Sequence, residues 1–375
     1  MKALHLALVR QRYTAFGGAE QFLKNAMTTL TGNDINLTLI TREWQQQDNV
    51  QRIICNPFYI GRLWRDRGFA RAACRLLHQN SFDVVQSHER MACCDIYRAG
   101  DGVHREWLTQ RRRTLGAFGA LVQDTHPYHR YTLAAEEKLF NSPRLQALIC
   151  NSQMVKNEIL YYFNIAPDKL HVIYNSVDLE RYHPGLVQHA QPVRRNYGIP
   201  SDESVFLFAG SGFYRKGLTA ALYALHAHGA GAHLLVVGKD KAGARFERLA
   251  RKLGLGERVH FVGPQTDMTP FYGASDALLL PTLYDPFPNV ALEALACGLP
   301  VITSHKSGAS EIIVDGVNGY VCDALDIDAL AIKLEQCCKN APTMRTAARQ
   351  SVTGFTHEVM VERLITLYQS ILAKR

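Results

Sequence analysis

The chain has 375 residues, 47% of them apolar and 20% charged, the balance of a globular protein with room for two domains that each build a core. It holds no run of 18 apolar residues, so no transmembrane helix is expected, and the apolar stretch after Met1 lacks the small-residue cleavage site of a signal peptide. The net charge is +8, and residues 1–130 hold 18 Lys and Arg against 11 Asp and Glu. That asymmetry points the first half towards an anionic partner: a phosphorylated acceptor, a membrane surface or nucleic acid.

Leu4–Val9 reads as a first β-strand, followed by strands at Leu37–Thr41, Asp83–Gln86, Ala147–Cys150 and Val172–Tyr174. Helical patterns intervene, as at Ala19–Leu30 and Gly68–His78, and the alternation predicts a parallel, doubly wound sheet. Tyr182–Pro200 has weak periodicity and reads as a linker. A second series begins beyond it, with strands at Val205–Phe208, His233–Val237, Val259–Phe261, Ala277–Leu280 and Val301–Thr303. The fold class is therefore α/β, two Rossmann-like halves with a cleft between them, and ligands are expected beyond the carboxyl ends of the strands. Thr356–Ala373 closes the chain as an amphipathic helix. The nine cysteines show no metal-binding spacing, and they are expected as buried free thiols in a reducing compartment.

Several loops carry candidate chemistry. Gly17-Gly18 lies between the first strand and a helix, where backbone amides can approach an anion; the spacing is not the dinucleotide fingerprint, which needs a third glycine. Asp95-Ile-Tyr-Arg98-Ala-Gly100-Asp101-Gly102-Val-His104 runs from a strand into a turn, and Asp101 there is either a ligand-facing acid or an Asx-turn residue. Arg62–Arg75 and Arg105–Arg113, with Trp64 and Trp107, read as an interfacial surface for anionic lipid or as solvated helix faces. Nucleic acid lacks an accompanying stacking platform, zinc finger or RNA-recognition signature.

In the second half, Gly210-Ser-Gly212-Phe-Tyr-Arg215-Lys216-Gly217 places two cations at the opening of a helix. The dipole is already positive there, so an anion is expected between them. Asp326-Ile-Asp328 invites a metal reading, but it opens a helix, where acidic residues are ordinary first-turn chemistry. The string from Pro281 to Thr303 is the most specific. A strand ends near Leu280, a Pro-rich loop follows, and Asn289 is expected to cap a helix that Gly298 and Pro300 terminate. Glu293 is the single charge on that helix, so it either pairs with a Lys or Arg or accepts from two adjacent sugar hydroxyls.

The Pro281–Thr303 string closely resembles the acidic-x7-acidic signature of the retaining nucleotide-sugar glycosyltransferases of GT-B architecture, family 4. Arg215-Lys216, Ile149–Lys156, Val172–Asp178, Ser307–Glu311 and Asp315–Gly319 resemble further segments of that family. The resemblance implies that Asp285, Phe287, Pro288 and Asn289 face the donor hexose and Glu293 the ribose; the family has Glu where Asp285 stands, so this acid reaches about one methylene less far. It implies that Gly17, Gly18, Gly210, Arg215 and Lys216 serve the donor phosphates. Asp101 would lie beneath the sugar and position the acceptor hydroxyl, with His104 and Arg105 on the acceptor side. Catalysis would then rest on Asp101, Arg215, Lys216 and Asp285, with no metal and no dedicated nucleophile, the departing phosphate taking the acceptor proton. Implied domains are 1–180, with 355–375 returning to it, and 181–354.

The pattern most resembles bacterial lipopolysaccharide-core glycosyltransferases. That implies a UDP-sugar donor, a lipid-linked anionic acceptor in the heptose region, and a peripheral position on the inner face of the cytoplasmic membrane. The alternatives are a GT-B enzyme acting on a small sugar or sugar phosphate, a nucleotide-sugar epimerase, and a non-catalytic anion-binding scaffold.

Overall fold

The computed structural model describes residues 4–12, 35–43, 51–229 and 231–374. The chain divides into two compact units, one of Met1–Asn175 with His357–Arg375 and one of Ser176–Thr356.

The first unit is a seven-stranded sheet in the order β3-β2-β1-β4-β5-β6-β7, every pairing parallel. Its strands are β1 (Leu4–Val9), β2 (Ile35–Thr41), β3 (Gln51–Ile54), β4 (Val84–Ser87), β5 (Ile96–Arg98), β6 (Ala147–Cys150) and β7 (Leu170–Val172). Successive side chains of a strand point to opposite faces, and both faces are covered, as all-parallel sheets require. Ala7 and Val9 pack with Phe69, Ala73 and Leu77 of the helix Gly61–Gln79. Leu6 and Leu8 pack instead with Met360, Leu364, Leu367 and Ile371 of the last helix, His357–Leu372. Tyr368 on that helix donates to Gln86 Oε1 of β4 at 2.8 Å. The expected helix Ala19–Leu30 lies outside the described residues.

The second unit has a six-stranded sheet, β10-β9-β8-β11-β12-β13, again wholly parallel. The strands are β8 (Ser204–Ala209), β9 (Ala232–Val237), β10 (Val259–Gly263), β11 (Ala277–Leu280), β12 (Val301–Ser304) and β13 (Gly319–Cys322). Its switch point, where the order reverses, lies between β8 and β11; in the first sheet it lies between β1 and β4.

The structure departs from two expectations. Tyr182–Pro200 is no linker: Pro184–His189 is a 3-10 helix and Ala190–Asn196 an α-helix. Leu186, Val193 and Ile199 are buried, and Arg194 pairs with Asp276 at 2.8 Å. Three buried apolar residues with little else apolar around them gave no readable period. The cysteines are also not all free: Cys74 and Cys93 form a disulfide, while six of the other seven are buried thiols. The bonded pair joins the Gly61–Gln79 helix to the loop after β4, a tertiary juxtaposition that spacing does not encode.

Candidate functional site

Ligands of open α/β sheets bind beyond the carboxyl ends of the strands at the switch point. In the second unit the loops leaving β8 and β11 flank that point. The first carries Gly210, Arg215 and Lys216; the second carries Asp285 and leads into Glu293. Gly217 ties the loops together. Its φ is +82°, and a Cβ there would lie 1.8 Å from the Pro281 carbonyl oxygen, so only glycine permits the approach. The Arg215 carbonyl then accepts from the Leu283 amide and the Thr282 hydroxyl, both at 2.9 Å. Asp240 steadies the turn by accepting from the Phe213 amide at 2.7 Å. Gly210 has φ +127°, with Lys216 Cε next to where its Cβ would be.

The cations converge on one acid. Lys216 Nζ lies 2.6 Å and Arg215 Nη1 3.1 Å from Asp285 Oδ2, and Arg215 also donates to the Tyr284 carbonyl at 2.8 Å. Asp285 and Lys216 are buried, whereas the Arg215 side chain is 37% exposed. Burial alone would raise the Asp285 carboxyl; the Lys216 and Arg215 charges outweigh it and hold the group below the usual carboxylate range. Burial lowers Lys216, with Asp285 opposing. Two cations and one carboxylate leave a net positive charge at the mouth of the β8 loop. Gly217 separates both cations from the helix Leu218–His228, so they precede its first turn rather than lie within it.

The helix after Asp285 spans Asn289–Ala296. Asn289 is its first helical residue and Pro288 the cap position, with no side-chain cap bond. At the other end Gly298 (φ +76°) donates to Leu295 and Leu299 donates to Ala294, a Schellman termination. Phe287 and Pro288 are buried, and the Phe287 ring stacks on Phe355 with centroids 6.3 Å apart, so its ring serves packing. Tyr272 donates to Glu293 Oε2 at 2.6 Å. Burial raises the Glu293 carboxyl, against the Tyr272 hydrogen bond and the Arg181 and Lys216 charges. Asp326 caps the helix Ile327–Gln350, accepting from the Ala329 amide at 2.9 Å.

In the first unit, Gly17 and Gly18 lie outside the described residues. Asp101 is exposed beside Gly102 (φ +67°) and stands 3.7 Å from Arg90 Nη1. Arg90 is held at 2.8 Å by Glu136, which also accepts from the His104 amide at 2.9 Å. The His104 ring bonds His129 (3.0 Å), and His129 bonds Arg111 (3.1 Å). Burial, then Arg90 and His129, push His104 down to about 3, so it is neutral at physiological pH. Arg105 is exposed, with its guanidinium over the rings of Tyr162 and Phe163. Arg215, Lys216, Asp285 and Glu293 thus gather in the second unit, and Asp101, His104 and Arg105 follow β5 in the first. Sequence reasoning missed Glu136, Asp240 and Tyr272; each is distant in sequence from what it holds and sits in no motif.

Residues 16–181 match the family model described as Glycosyltransferase Family 4, and residues 190–352 match Glycosyl transferases group 1. Among curated proteins, lipopolysaccharide glucosyltransferase WaaG of Escherichia coli is 24% identical over 326 residues, 84% of each chain. D-inositol 3-phosphate glycosyltransferase 1 of Catenulispora acidiphila is 29% identical over 242 residues, 60% of this chain and 57% of that protein; the chain spans little more than half of it. Among solved structures, WaaG matches with a TM-score of 0.79 at 23% identity, covering 98% of both chains. Anabaena HepE in complex with UDP-glucose matches with a TM-score of 0.74 at 18% identity, covering 97% of this chain and 99% of that one. These structural likenesses establish the GT-B fold.

Proposed function

Because the chain belongs to the family-4 glycosyltransferases of GT-B architecture, we propose that it transfers a hexose, with retention and without a metal, from a UDP-sugar to a membrane-anchored anionic glycolipid. The heptose region of lipopolysaccharide core is the proposed acceptor. The observation that carries this reading is the convergence of Arg215, Lys216 and Asp285 at the β8–β11 switch point, with Glu293 on the next helix. Negative charge builds on the β-phosphate as the glycosyl bond breaks. A preorganised Arg fork and Lys point charge stabilise it, and Asp285 holds both cations in place.

In this reading Glu293 accepts from the ribose hydroxyls, while Asp285, Phe287, Pro288 and Asn289 face the hexose. Gly210 approaches the phosphates, and Asp101, His104 and Arg105 are assigned to the acceptor. Asp326 accepts from the Ala329 amide as a helix cap, which supports reading Asp326 and Asp328 as first-turn residues rather than metal ligands. The UDP-glucose bound by HepE supports the donor class, and the lipopolysaccharide assignment of WaaG supports the acceptor.

A peripheral place on the inner face of the cytoplasmic membrane is supported by a surface of the first unit. Among the described residues no helix is long and apolar enough to cross a bilayer. Trp107 is half-buried, but the helix Ala117–Thr125 exposes Phe118 (80%), Leu121 (60%) and Val122, close in sequence to Arg111, Arg112 and Arg113. Exposed apolar side chains beside arginines suit an anionic bilayer surface. The inositol-phosphate relative favours a second reading, a soluble sugar-phosphate acceptor.

A donor screen tests the function: thermal shift and hydrolysis across UDP- and GDP-sugars. Stabilisation and slow hydrolysis with one UDP-hexose is the expected result, and no response to any nucleotide sugar contradicts it.

A further inference from the structure

Tyr272 is fully buried on a short helix, Thr269–Ala274, and its hydroxyl donates to Glu293 rather than to a neutral acceptor; the Val290 carbonyl is 3.5 Å away. The ring is fixed from several sides. Tyr182 meets it edge-on, centroids 5.6 Å apart at 87°. The Arg181 guanidinium lies over Tyr182 and pairs with Asp267 at 3.4 Å. Asp267 in turn accepts from the amide and hydroxyl of Thr269, at the head of the Tyr272 helix. Behind the ring, a Cβ on Gly273 would lie 2.0 Å from the Leu186 carbonyl oxygen, so the helix is seated flush against Pro184–His189.

A buried tyrosine needs an acceptor for its hydroxyl, but a carbonyl would satisfy it without drawing a carboxylate out of water. The arrangement serves the acid. A glutamate has three side-chain torsions to fix, and one short bond to a rigid phenol fixes its head group while leaving Oε1 with two acceptor sites. We infer that Tyr272 is a positioning residue of the donor site, holding one oxygen of Glu293 so that the other is presented to the vicinal diol of the nucleotide ribose. This rests on the proposed role of Glu293. It goes beyond it by assigning the selectivity for a cis-diol to a preorganised pair rather than to a lone acid.

Calorimetric titration of UDP, GDP and ADP against wild type identifies the tightest nucleotide, which is then titrated against Tyr272→Phe, Glu293→Ala and the double variant. Tyr272→Phe keeps the ring and removes only the oxygen. It is expected to weaken binding about tenfold, while the double variant binds no more weakly than Glu293→Ala alone. The acid limb of binding in Tyr272→Phe should also move to higher pH. The lost hydrogen bond is the foremost influence opposing the effect of burial on Glu293, leaving the Arg181 and Lys216 charges to oppose it; Tyr182 and Cys297 also face the group, as neutral acids. A structural role for Tyr272 would lower the unfolding temperature without moving that limb. Binding by Tyr272→Phe within twofold of wild type, with the limb unmoved, overturns the inference and spares the role of Glu293. Binding by Glu293→Ala within twofold overturns both.

Discussion

Lys216 Nζ and Asp285 Oδ2 lie 2.6 Å apart, and both groups are buried. The pair stores the charge that the proposed chemistry needs. Unpaired, an ammonium this far from water tends to lose its proton; beside a carboxylate it stays charged and in place.

Asp285→Asn should therefore act through Lys216. Burial lowers the lysine, and the Asp285 charge is the main influence opposing this. Removing that charge lets Lys216 deprotonate at a lower pH, so the alkaline limb of kcat should move down in pH. Breaking a buried pair should also cost about 3 kcal/mol of stability. The Asp285 carboxyl is depressed in the folded state, so its contribution is present above its unfolded value and lost as pH falls through the folded value. Asp285→Asn should lack that acid-side loss. A pH–rate profile and acid unfolding curves check both.

Gly217→Ala should be severely damaging. Left-handed backbone alone costs a non-glycine residue of order 1 kcal/mol, and the overlap with the Pro281 carbonyl adds to it. The Arg215 loop and the Asp285 loop are expected to separate, lowering both the unfolding temperature and donor affinity. Gly256→Ala, where a Cβ meets nothing within 4 Å, is the control and should stay within about 0.5 kcal/mol of wild type. Thermal unfolding of the two variants makes the comparison.

Activity should survive excess EDTA. Asp326→Ala should cost about 1 kcal/mol of stability as a lost cap and leave kcat unchanged. Loss of activity on chelation with recovery in manganese would return a metal to the mechanism.

Phe118→Ser combined with Leu121→Ser should reduce co-sedimentation with anionic vesicles about tenfold without altering donor binding, since about 1–2 kcal/mol of apolar insertion is removed. Equal sedimentation of variant and wild type would favour the soluble sugar-phosphate acceptor.

Much of this was legible in the sequence because β-rich apolar runs alternate with helices, and Leu4–Val9, Ala147–Cys150 and Ala277–Leu280 sit where their apolar runs end. The edge strand Gln51–Ile54 was not read: it is largely exposed, so burial imposes no pattern on it. β7 (Leu170–Val172) begins two residues before the expected Val172–Tyr174, since it takes its register from the pairing of Leu148 with Leu170, which neighbouring residues do not reveal. Asn289 suits the cap by its side chain, but Pro288 takes the position, its ring already holding φ near −72°.

At the site, Arg215, Lys216, Asp285 and Glu293 were legible as motif residues, but what they touch was not. The Asp285 carboxylate reads as a sugar ligand, and the contacts of its Oδ2 with Lys216 and Arg215 are not legible from the motif. Tyr272, which donates to Glu293, is contributed by a helix with no motif of its own. Side-chain pairing across loops is set by the strand order of the sheet, which spacing along the chain does not carry.

Steady-state kinetics of Arg215→Ala with saturating acceptor test the central claim most directly, because Arg215 is the partly exposed member of the cluster and its loss leaves the Lys216–Asp285 pair intact. The charge on the departing β-phosphate is greatest as the glycosyl bond breaks, so kcat should fall by about two to three orders of magnitude, or about 2–4 kcal/mol, while binding of the intact donor weakens far less. A kcat within threefold of wild type would remove the cation pair from the chemistry and contradict the account.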